Sequence, residues 1–462
     1  MSIYESAYQK STPDRVDDYT IDGGSVAVAA EPLAPARQQP QTQRKSRGPQ
    51  FYKPFHFLLL VYLYFYCSRI PEMMPWFHIG LLLQPILMIG MVMTGTTKAI
   101  FKTDIGRMMT AFTIWVAICV PFSTWRGGSY QIFILALQAL GLLFFMASFI
   151  RTLEDCYRVF YVVALAIATI SVLSFVRGGG MRTGDPRLGL GSATAETLGD
   201  ANLLALYLVV GLPFLWFCAT YKKRLVKIGL VMAVIPILAA VGRTGSRMGL
   251  LALAAGTLFF LIFATVTQRA VVIMGGVIAL MLGVTMLPRV ITERFTTLFQ
   301  ASSAGAAEAA ASAEARKAMF WRSIDITLEH PLLGVGPGEF MDAEAAEDMA
   351  VGKRGMWHYT HNAYTELSSE TGLIGMVLFL IAFWRSYRGL TFFRSRFPSL
   401  KVRRAALCIQ MAVLVSAVGA FFLSIAYSGI LYPIMGISAA FQLAAAKQYK
   451  ELQQMQQPEP TP

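Results

Sequence analysis

The chain has 462 residues, of which 55% are hydrophobic and only 15% are charged, and its mean hydropathy is +0.52. This composition excludes a soluble globular protein, because a soluble fold needs more charged residues to cover its surface. The formal net charge of +13 is explained by basic residues that flank membrane spans, so no nucleic-acid partner is predicted.

The first segment of the chain, residues 1–52, is polar and rich in Pro, Gln and Ser. It ends in the basic stretch "RKSRGPQFYK" and contains no visible cleavable signal. Such a composition cannot bury enough apolar surface to fold by itself. We therefore expect a disordered cytoplasmic N-terminal tail.

Long apolar runs then dominate the chain and predict an all-α polytopic membrane protein with about twelve transmembrane helices, since about 20 apolar residues span a bilayer. The predicted spans cover residues 55–70, 77–94, 108–122, 130–150, 158–176, 201–220, 225–241, 248–266, 270–287, 370–387, 405–424 and 427–446. Together they form one membrane domain over 53–448, followed by a cytoplasmic C-terminal tail at 449–462.

The basic residues predict the orientation of these spans. If the N-terminus is cytoplasmic, the inside segments carry seventeen Lys and Arg residues and the short outside segments carry seven, all of them Arg. The excess of positive charge on the inside favours both termini in the cytoplasm. A large loop at 288–369 and a shorter loop at 177–200 then lie outside.

The five cysteines lie in or beside apolar runs, without a CxxC pair or a His/Cys cluster. This spacing indicates neither a disulfide framework nor a zinc site. The chain also shows no DxD or ExD pair for a divalent metal and no nucleotide-binding loop, so neither a metal site nor a cofactor is predicted.

Two arginine-bearing stretches on the outside are candidate anion sites. Arg243 and Arg247 are four residues apart, at the end of one predicted span and the start of the next. Arginines at membrane depth need an anion or a carboxylate, so the pair binds either a phosphate group or an acid such as Asp200. Arg187, in the Gly-rich loop before Asp200, is a further candidate phosphate or sugar contact, and Asp200 is expected to cap the next helix.

The large loop is predicted to begin with an Ala-rich helix over about 304–329, which Pro331 ends. This helix carries Arg316, Trp321 and Arg322, and a Trp beside an Arg forms a platform for a sugar ring or a lipid headgroup. A solvated helix face explains Arg322 equally well. The sequence "GVGPGEF" follows as a tight turn, and "FMDAEAAEDMA" is expected to form a second surface helix.

His361 stands at the outer end of this loop, where the next helix enters the membrane. A neutral imidazole near several arginines keeps a lowered pKa and can accept a proton from a hydroxyl group. The alternative is a hydrogen-bonded interfacial histidine without a chemical role. Glu370, further along the same helix, is a candidate acceptor or sugar contact together with Trp321 and Arg322.

Three of these stretches together resemble the O-antigen ligase and O-antigen polymerase superfamily of bacterial envelope glycosyltransferases. They are "SRMGLLALAAG", the loop elements Arg316, Trp321 and "HPLLGVGPGEF", and "HNAYTELSSETGLIG". Their order, and the large loop between late spans, also agree with the family. The resemblance covers about 55–445, and Met248 departs from it where a small residue is commoner.

The resemblance implies a GT-C-like, metal-independent inverting transferase in the bacterial inner membrane. Its donor would be a glycan on undecaprenyl pyrophosphate at the periplasmic face, and its acceptor a glycan, lipid or protein hydroxyl. Arg243, Arg247, Arg187 and Arg316 would bind the pyrophosphate, and His361 would act on the acceptor hydroxyl as the catalytic residue.

Three alternatives to a ligase remain open at this stage, one of them a purely structural or assembly role for a secretion system. A polymerase of the same superfamily would add repeat units to a growing lipid-linked chain, and it needs the same donor site as a ligase. A multispanning transporter or flippase of a lipid-linked or anionic solute is also compatible with many spans and arginines. Against the transporter, the chain shows no pair of similar halves and carries an unusually long outside loop.

Overall fold

The computed structural model describes residues 50–73, 79–177, 187–190, 198–286, 304–350, 352, 357–427 and 429–456. The predicted N-terminal tail lies almost wholly outside the described residues, as do 287–303 at the start of the large loop and 457–462 at the end of the chain. Every regular element in the described part is a helix, which confirms the all-α prediction.

Fifteen helices carry the architecture in the described part of the chain. In chain order they are α1 Lys53–Ser68, α2 Ile79–Met93, α3 Asp104–Cys119, α4 Arg126–Phe149, α5 Leu153–Arg177, α6 Ala201–Tyr221, α7 Arg224–Arg243, α8 Arg247–Phe263, α9 Val266–Met286, α10 Ala304–Glu329, α11 Phe340–Ala350, α12 Ala363–Arg388, α13 Thr391–Arg396, α14 Leu400–Ala420 and α15 Leu431–Gln456. A four-residue helix at Ile70–Met73 and three short 3-10 turns complete the list.

Each of the twelve predicted spans overlaps one of these helices, but the predicted count of about twelve is not confirmed. Among the described residues, seven helical segments are long and apolar enough to cross a membrane, and α2, α8 and part of α9 are shorter apolar helices. The last helix, α15, continues to Gln456, eight residues beyond the predicted end of the membrane domain, because a helical Lys- and Gln-rich stretch follows its apolar half.

The surfaces of several helices suit a lipid environment. Large apolar side chains such as Leu81 on α2, Val231 on α7, Leu258 on α8 and Val277 on α9 are more than half exposed. A soluble protein rarely leaves so much apolar surface uncovered. These exposed apolar side chains, together with the seven apolar segments, support a multi-pass membrane protein.

The core of the bundle is built around α6, which is apolar on all sides and therefore buried on all sides. Phe214 and Phe217 on α6 pack edge-on against Phe160 on α5, with ring centroids 5.2 Å apart. A Cβ on Gly211 would lie 2.5 Å from Ile167, so the backbones of α5 and α6 approach closely there. This rigid core fixes the position at which α6 begins.

The helix ends fall into two groups. One end of the bundle, here called the loop end, contains the starts of α6, α8 and α12 and the ends of α7 and α14. The opposite end carries most of the Lys and Arg residues that were predicted to lie inside, and two of them pair across helices, Arg385 with Asp104 (3.4 Å) and Lys401 with Glu154 (3.4 Å). The candidate site residues lie at the loop end.

Candidate active site

His361 lies directly before the N-cap of α12, and hydrogen bonds of the surrounding backbone fix its position. Asn362 caps the helix, because its Oδ1 accepts hydrogen bonds from the N–H groups of Tyr364 (2.9 Å) and Thr365 (3.2 Å). His361 itself has φ of +53°, a left-handed conformation that costs a non-glycine residue roughly 1 kcal/mol or more. Its N–H donates to Ser424 Oγ (2.9 Å), which stabilises that conformation from the segment after α14.

The surroundings of His361 keep its imidazole neutral. Burial lowers the pKa of His361 below its ordinary value, and the positive charges of Arg316 and His358 lower it further, while Asp200 acts in the opposite direction. The predicted lowering of this pKa is therefore confirmed. Because charges act on one another only over short distances, these effects show that Arg316 on α10 and Asp200 at the start of α6 lie near His361. A neutral imidazole there can accept a proton.

The turn between α7 and α8 holds Arg243 and Arg247. Ser246 caps α8, since its Oγ accepts from the Gly249 N–H (3.0 Å), and it donates to Asn202 Oδ1 on α6 (2.8 Å). The Arg243 carbonyl accepts the N–H of Leu188 (3.0 Å), which brings the neighbour of Arg187 to the same turn. The turn therefore links three of the predicted arginines to the start of α6.

Neither Arg243 nor Arg247 forms an ion pair with Asp200, the alternative that the sequence left open. Asp200 instead caps α6, because its Oδ1 accepts from the N–H groups of Asn202 (2.6 Å) and Leu203 (2.9 Å). Arg243 is exposed, with its guanidinium 5.9 Å from the Phe175 ring, and Arg247 is half-buried. Within the part of the chain that the structure describes, neither arginine has a carboxylate partner, and such a pair at a helix–helix turn suits an anionic ligand.

The Ala-rich loop helix α10 spans Ala304–Glu329, as predicted. Trp321 is 55% exposed and packs edge-on against Phe320. Arg322 pairs with Glu329 (3.7 Å) on its own helix and with Glu347 on α11. Arg322 therefore joins the two loop helices, whereas Trp321 leaves its ring available.

The "GVGPGEF" turn fills a break in α12. Gly372 has φ of +67° and interrupts the helix, and the Leu373 N–H donates to the Pro331 carbonyl (2.9 Å) instead of the Ser369 carbonyl. Val335 N–H donates to the Ser369 carbonyl (2.9 Å) and Gly336 N–H to the Glu370 carbonyl (3.1 Å). The loop thus satisfies the backbone groups that the break exposes.

Glu370 fastens the same loop through its side chain. Its carboxylate accepts the N–H groups of Gly338 (2.7 Å) and Phe340 (3.4 Å), and the side chain is buried. On the other side of the loop, Thr124 donates to the Val335 carbonyl and Ser129 to the Pro337 carbonyl. Glu370 therefore holds the loop between α12 and the α3–α4 turn.

Glu339, in this loop, carries a raised pKa. Burial raises the pKa of Glu339 to about 7, and the neighbouring Asp342 raises it as well. Its Oε1 lies 3.5 Å from the Ser129 hydroxyl, and a Cβ on Gly128 would come within 2.3 Å of the same oxygen. The pocket thus favours the protonated acid.

This raised pKa predicts a pH-dependent stability. The folded state keeps a proton on Glu339 that the unfolded chain releases near its ordinary value of 4.5, so stabilisation is complete below about pH 4.5 and is lost as pH rises through about 7. Glu339→Gln is expected to remove this loss, which amounts to at most about 3 kcal/mol. Thermal unfolding of the purified protein between pH 5 and 8.5 measures the effect. Glu314→Gln, at an exposed position on α10, is the control and should keep the wild-type pH dependence.

No group of three or more His, Cys, Asp and Glu side chains is placed to hold a metal ion among the residues that the structure describes. The five cysteines are free and buried. Sequence reasoning assigned no role to three polar residues that position the site, namely Ser424, Asn202 and Ser246. Only Ser246 carried a local signal, as a serine directly before an apolar helix.

Residues 232–380 match a family model described as O-Antigen ligase. The matched segment contains Arg243, Arg247, Arg316, Trp321, Arg322, His361 and Glu370, whereas Arg187 precedes it. No curated protein matches the chain. The match confirms the resemblance to the O-antigen ligase and polymerase superfamily that the three sequence motifs predicted.

Proposed function

We propose that this protein is an O-antigen-ligase-like glycosyltransferase that moves a glycan from undecaprenyl pyrophosphate to an acceptor hydroxyl. The observation that carries the proposal is the neutral, backbone-fixed imidazole of His361 within the field of Arg316, at the end of the bundle where α7 and α8 present Arg243 and Arg247. The matched family supports the same class of reaction.

The arginines act on the donor in this proposal. Arg243, Arg247, Arg187 and Arg316 bind the pyrophosphate, and their fixed charges stabilise the negative charge that grows on it as the glycosidic bond breaks. A metal ion commonly has this role, and the arginines take its place here. The reaction is therefore metal-independent and uses no cofactor, since the donor's phosphate ester drives it.

His361 acts on the acceptor. Its neutral imidazole accepts the proton of the acceptor hydroxyl as that oxygen attacks the anomeric carbon, from the face opposite the pyrophosphate. The new C–O bond forms as the bond to the pyrophosphate breaks, so the configuration inverts and undecaprenyl pyrophosphate leaves. The proton remains on His361 until solvent removes it.

The other predicted contacts divide into two roles. Trp321 has an exposed ring and is proposed to contact a sugar of one of the substrates. Arg322 and Glu370 were candidate sugar contacts as well, but Arg322 pairs with acids of the loop helices and Glu370 binds loop backbone. We assign both to holding the loop in position beside His361.

The proposed setting is the bacterial inner membrane, with both termini in the cytoplasm and the loop end facing the periplasm. The concentration of Lys and Arg at the opposite end of the bundle supports this orientation. Lipid-linked donors then reach the arginines from the bilayer. Cysteine labelling from either side of the membrane, at exposed positions such as Glu347 and Arg396, tests the orientation.

A glycan length profile in the native host tests the function and separates ligase from polymerase. If the protein is a ligase, deletion leaves long chains on the lipid carrier that never reach their final acceptor. If it is a polymerase, deletion leaves single repeat units. A deletion strain with an unchanged profile of envelope glycans would contradict both.

Arg247→Ala is expected to weaken binding of undecaprenyl pyrophosphate by about ten- to a hundredfold, because hydrogen bonds between charged groups contribute roughly 1.5–3 kcal/mol. Arg247→Lys keeps the charge but loses the bidentate geometry, so it should lie between alanine and wild type. Equilibrium binding to the purified protein measures the effect. Arg269→Ala, at the opposite end of the bundle, should bind as wild type does; equal losses in both variants would contradict the assignment.

A further inference from the structure

The segment that leads into His361 carries two exposed aromatic side chains. Trp357 and Tyr359 are 57% and 51% exposed, whereas Thr360 is buried. The Tyr359 ring lies edge-on to the His361 imidazole, with centroids 6.4 Å apart. Trp357 and Tyr359 are both exposed with the less exposed His358 between them, and the Tyr359 ring contacts His361, so the two aromatic rings and the imidazole form a row that ends at His361.

The first ring of this row is fixed in place. Trp357 Nε1 donates to Asp342 Oδ1 on α11, at 2.9 Å. The bond holds one edge of the indole and leaves the ring exposed, so little side-chain entropy remains to be lost when a ligand packs on it. A rigid aromatic face beside polar groups suits a sugar, which has an apolar C–H face and hydroxyl edges.

The charge beside the row selects the kind of ligand. Helix α11 contributes four acids, Asp342, Glu344, Glu347 and Asp348, next to the segment that carries the rings. Glu347 is paired with Arg322, and burial raises the pKa of Glu344. Asp342 and Asp348 therefore supply the negative charge that repels phosphate groups and anionic lipid headgroups. Arg316 acts on His361 from another element, the loop helix α10, and Arg243 and Arg247 stand at the α7–α8 turn. The row therefore suits an uncharged ligand, in contrast to the anionic donor.

We propose that Trp357 and Tyr359 form an acceptor subsite, on which neutral sugar residues stack and place a hydroxyl beside His361. The proposal rests on the transferase function and assigns one side of the same site to its acceptor. The acidic helix α11 keeps the pyrophosphate away from this subsite, so donor and acceptor approach His361 from regions of opposite charge.

Binding of a fluorescently labelled neutral oligosaccharide, released from the host envelope, to the purified full-length protein tests the subsite. Trp357→Leu and Tyr359→Leu should each weaken binding about tenfold, the effect expected of an aromatic contact residue. Trp357→Tyr keeps an aromatic face and should retain most of the affinity. A phosphorylated oligosaccharide of the same length should bind more weakly than the neutral one.

Trp384→Ala is the matched control, because Trp384 is 60% exposed on α12 near the opposite end of the bundle. This variant should bind as wild type does. Wild-type affinity in both leucine variants, an equal loss in Trp384→Ala, or no binding of the neutral oligosaccharide by the wild type would each overturn the subsite.

The assay contains no donor and measures no turnover. If the protein transfers glycan but its leucine variants bind normally, only the proposed subsite is wrong. If the protein binds the oligosaccharide as expected but transfers no glycan, the proposed function is wrong instead.

Discussion

His361→Asn is expected to lower glycan transfer by a factor of about 10² to 10⁴, the range that general acid–base catalysis contributes, without changing the amount of folded protein. Asparagine tolerates the left-handed conformation that His361 adopts. Its backbone N–H can still donate to Ser424, so the start of α12 is preserved. The variant therefore removes the imidazole alone, and the initial rate of product formation per folded protein measures the loss.

The pH profile gives the same prediction a second readout. Transfer requires the neutral imidazole, and the pKa of His361 is lowered by burial and by Arg316. The wild-type rate should therefore persist to a pH below the ordinary histidine value of about 6.5 before it falls. His330→Ala, at an exposed histidine of the same loop, is the control and should keep rate and profile. A His361→Asn rate equal to wild type would make the histidine structural.

Gly372→Ala is expected to prevent folding, with loss of most of the protein from the membrane. A Cβ at this position would lie 1.9 Å from the Leu332 carbonyl oxygen, and φ of +67° with ψ of 179° is a conformation that glycine alone adopts readily. The position of the Cβ is set by the backbone of residue 372, and the atom that it meets is a backbone oxygen, so no side-chain rotation relieves the overlap. The backbone conformation alone costs a non-glycine residue about 1–3 kcal/mol, and the overlap with the Leu332 carbonyl adds to this cost, against a typical domain stability of about 5–15 kcal/mol.

Gly229→Ala provides the matched control for this prediction. Gly229 lies in α7, where no atom is within 4 Å of an added Cβ, so alanine should leave abundance unchanged or raise stability slightly. Membrane abundance and the thermal unfolding midpoint of each variant measure the effect. Normal abundance and unfolding of Gly372→Ala would contradict the close fit between the "GVGPGEF" turn and the break in α12.

Much of the helical fold follows from the sequence, because apolar runs and helices coincide along the chain. The apolar run at 201–220, for example, became α6 at Ala201–Tyr221, and Asp200 caps it as expected. The predicted number of about twelve membrane spans, by contrast, is not confirmed, since seven described helical segments are long and apolar enough to cross a membrane. Helices such as α1 and α8 are only 16 and 17 residues long, and how short apolar helices sit in a bilayer depends on their neighbours.

The residues proposed to act on the substrates could also be recognised in the sequence, whereas the contacts that hold them in position could not. His361 and the arginine pair stand at helix ends, which a one-dimensional pattern can locate. The role of Glu370 depends on the N–H groups of Gly338 and Phe340, about 30 residues earlier in the chain. The sequence around Glu370 reads as one continuous helix and does not indicate that Gly372 breaks it. The hydrogen bonds that stabilise this break come from a loop that is distant in the sequence.

Reconstituted transfer is the measurement that tests the central claim most directly. The purified protein is placed in liposomes with an undecaprenyl-pyrophosphate-linked glycan and its acceptor, in the presence of a metal chelator and without ATP. The proposed mechanism predicts that the glycan becomes covalently attached to the acceptor, that undecaprenyl pyrophosphate is released in equal amount, and that His361→Asn yields neither product. Movement of the intact lipid-linked glycan across the bilayer, with no transfer to the acceptor, would contradict it and identify a transporter.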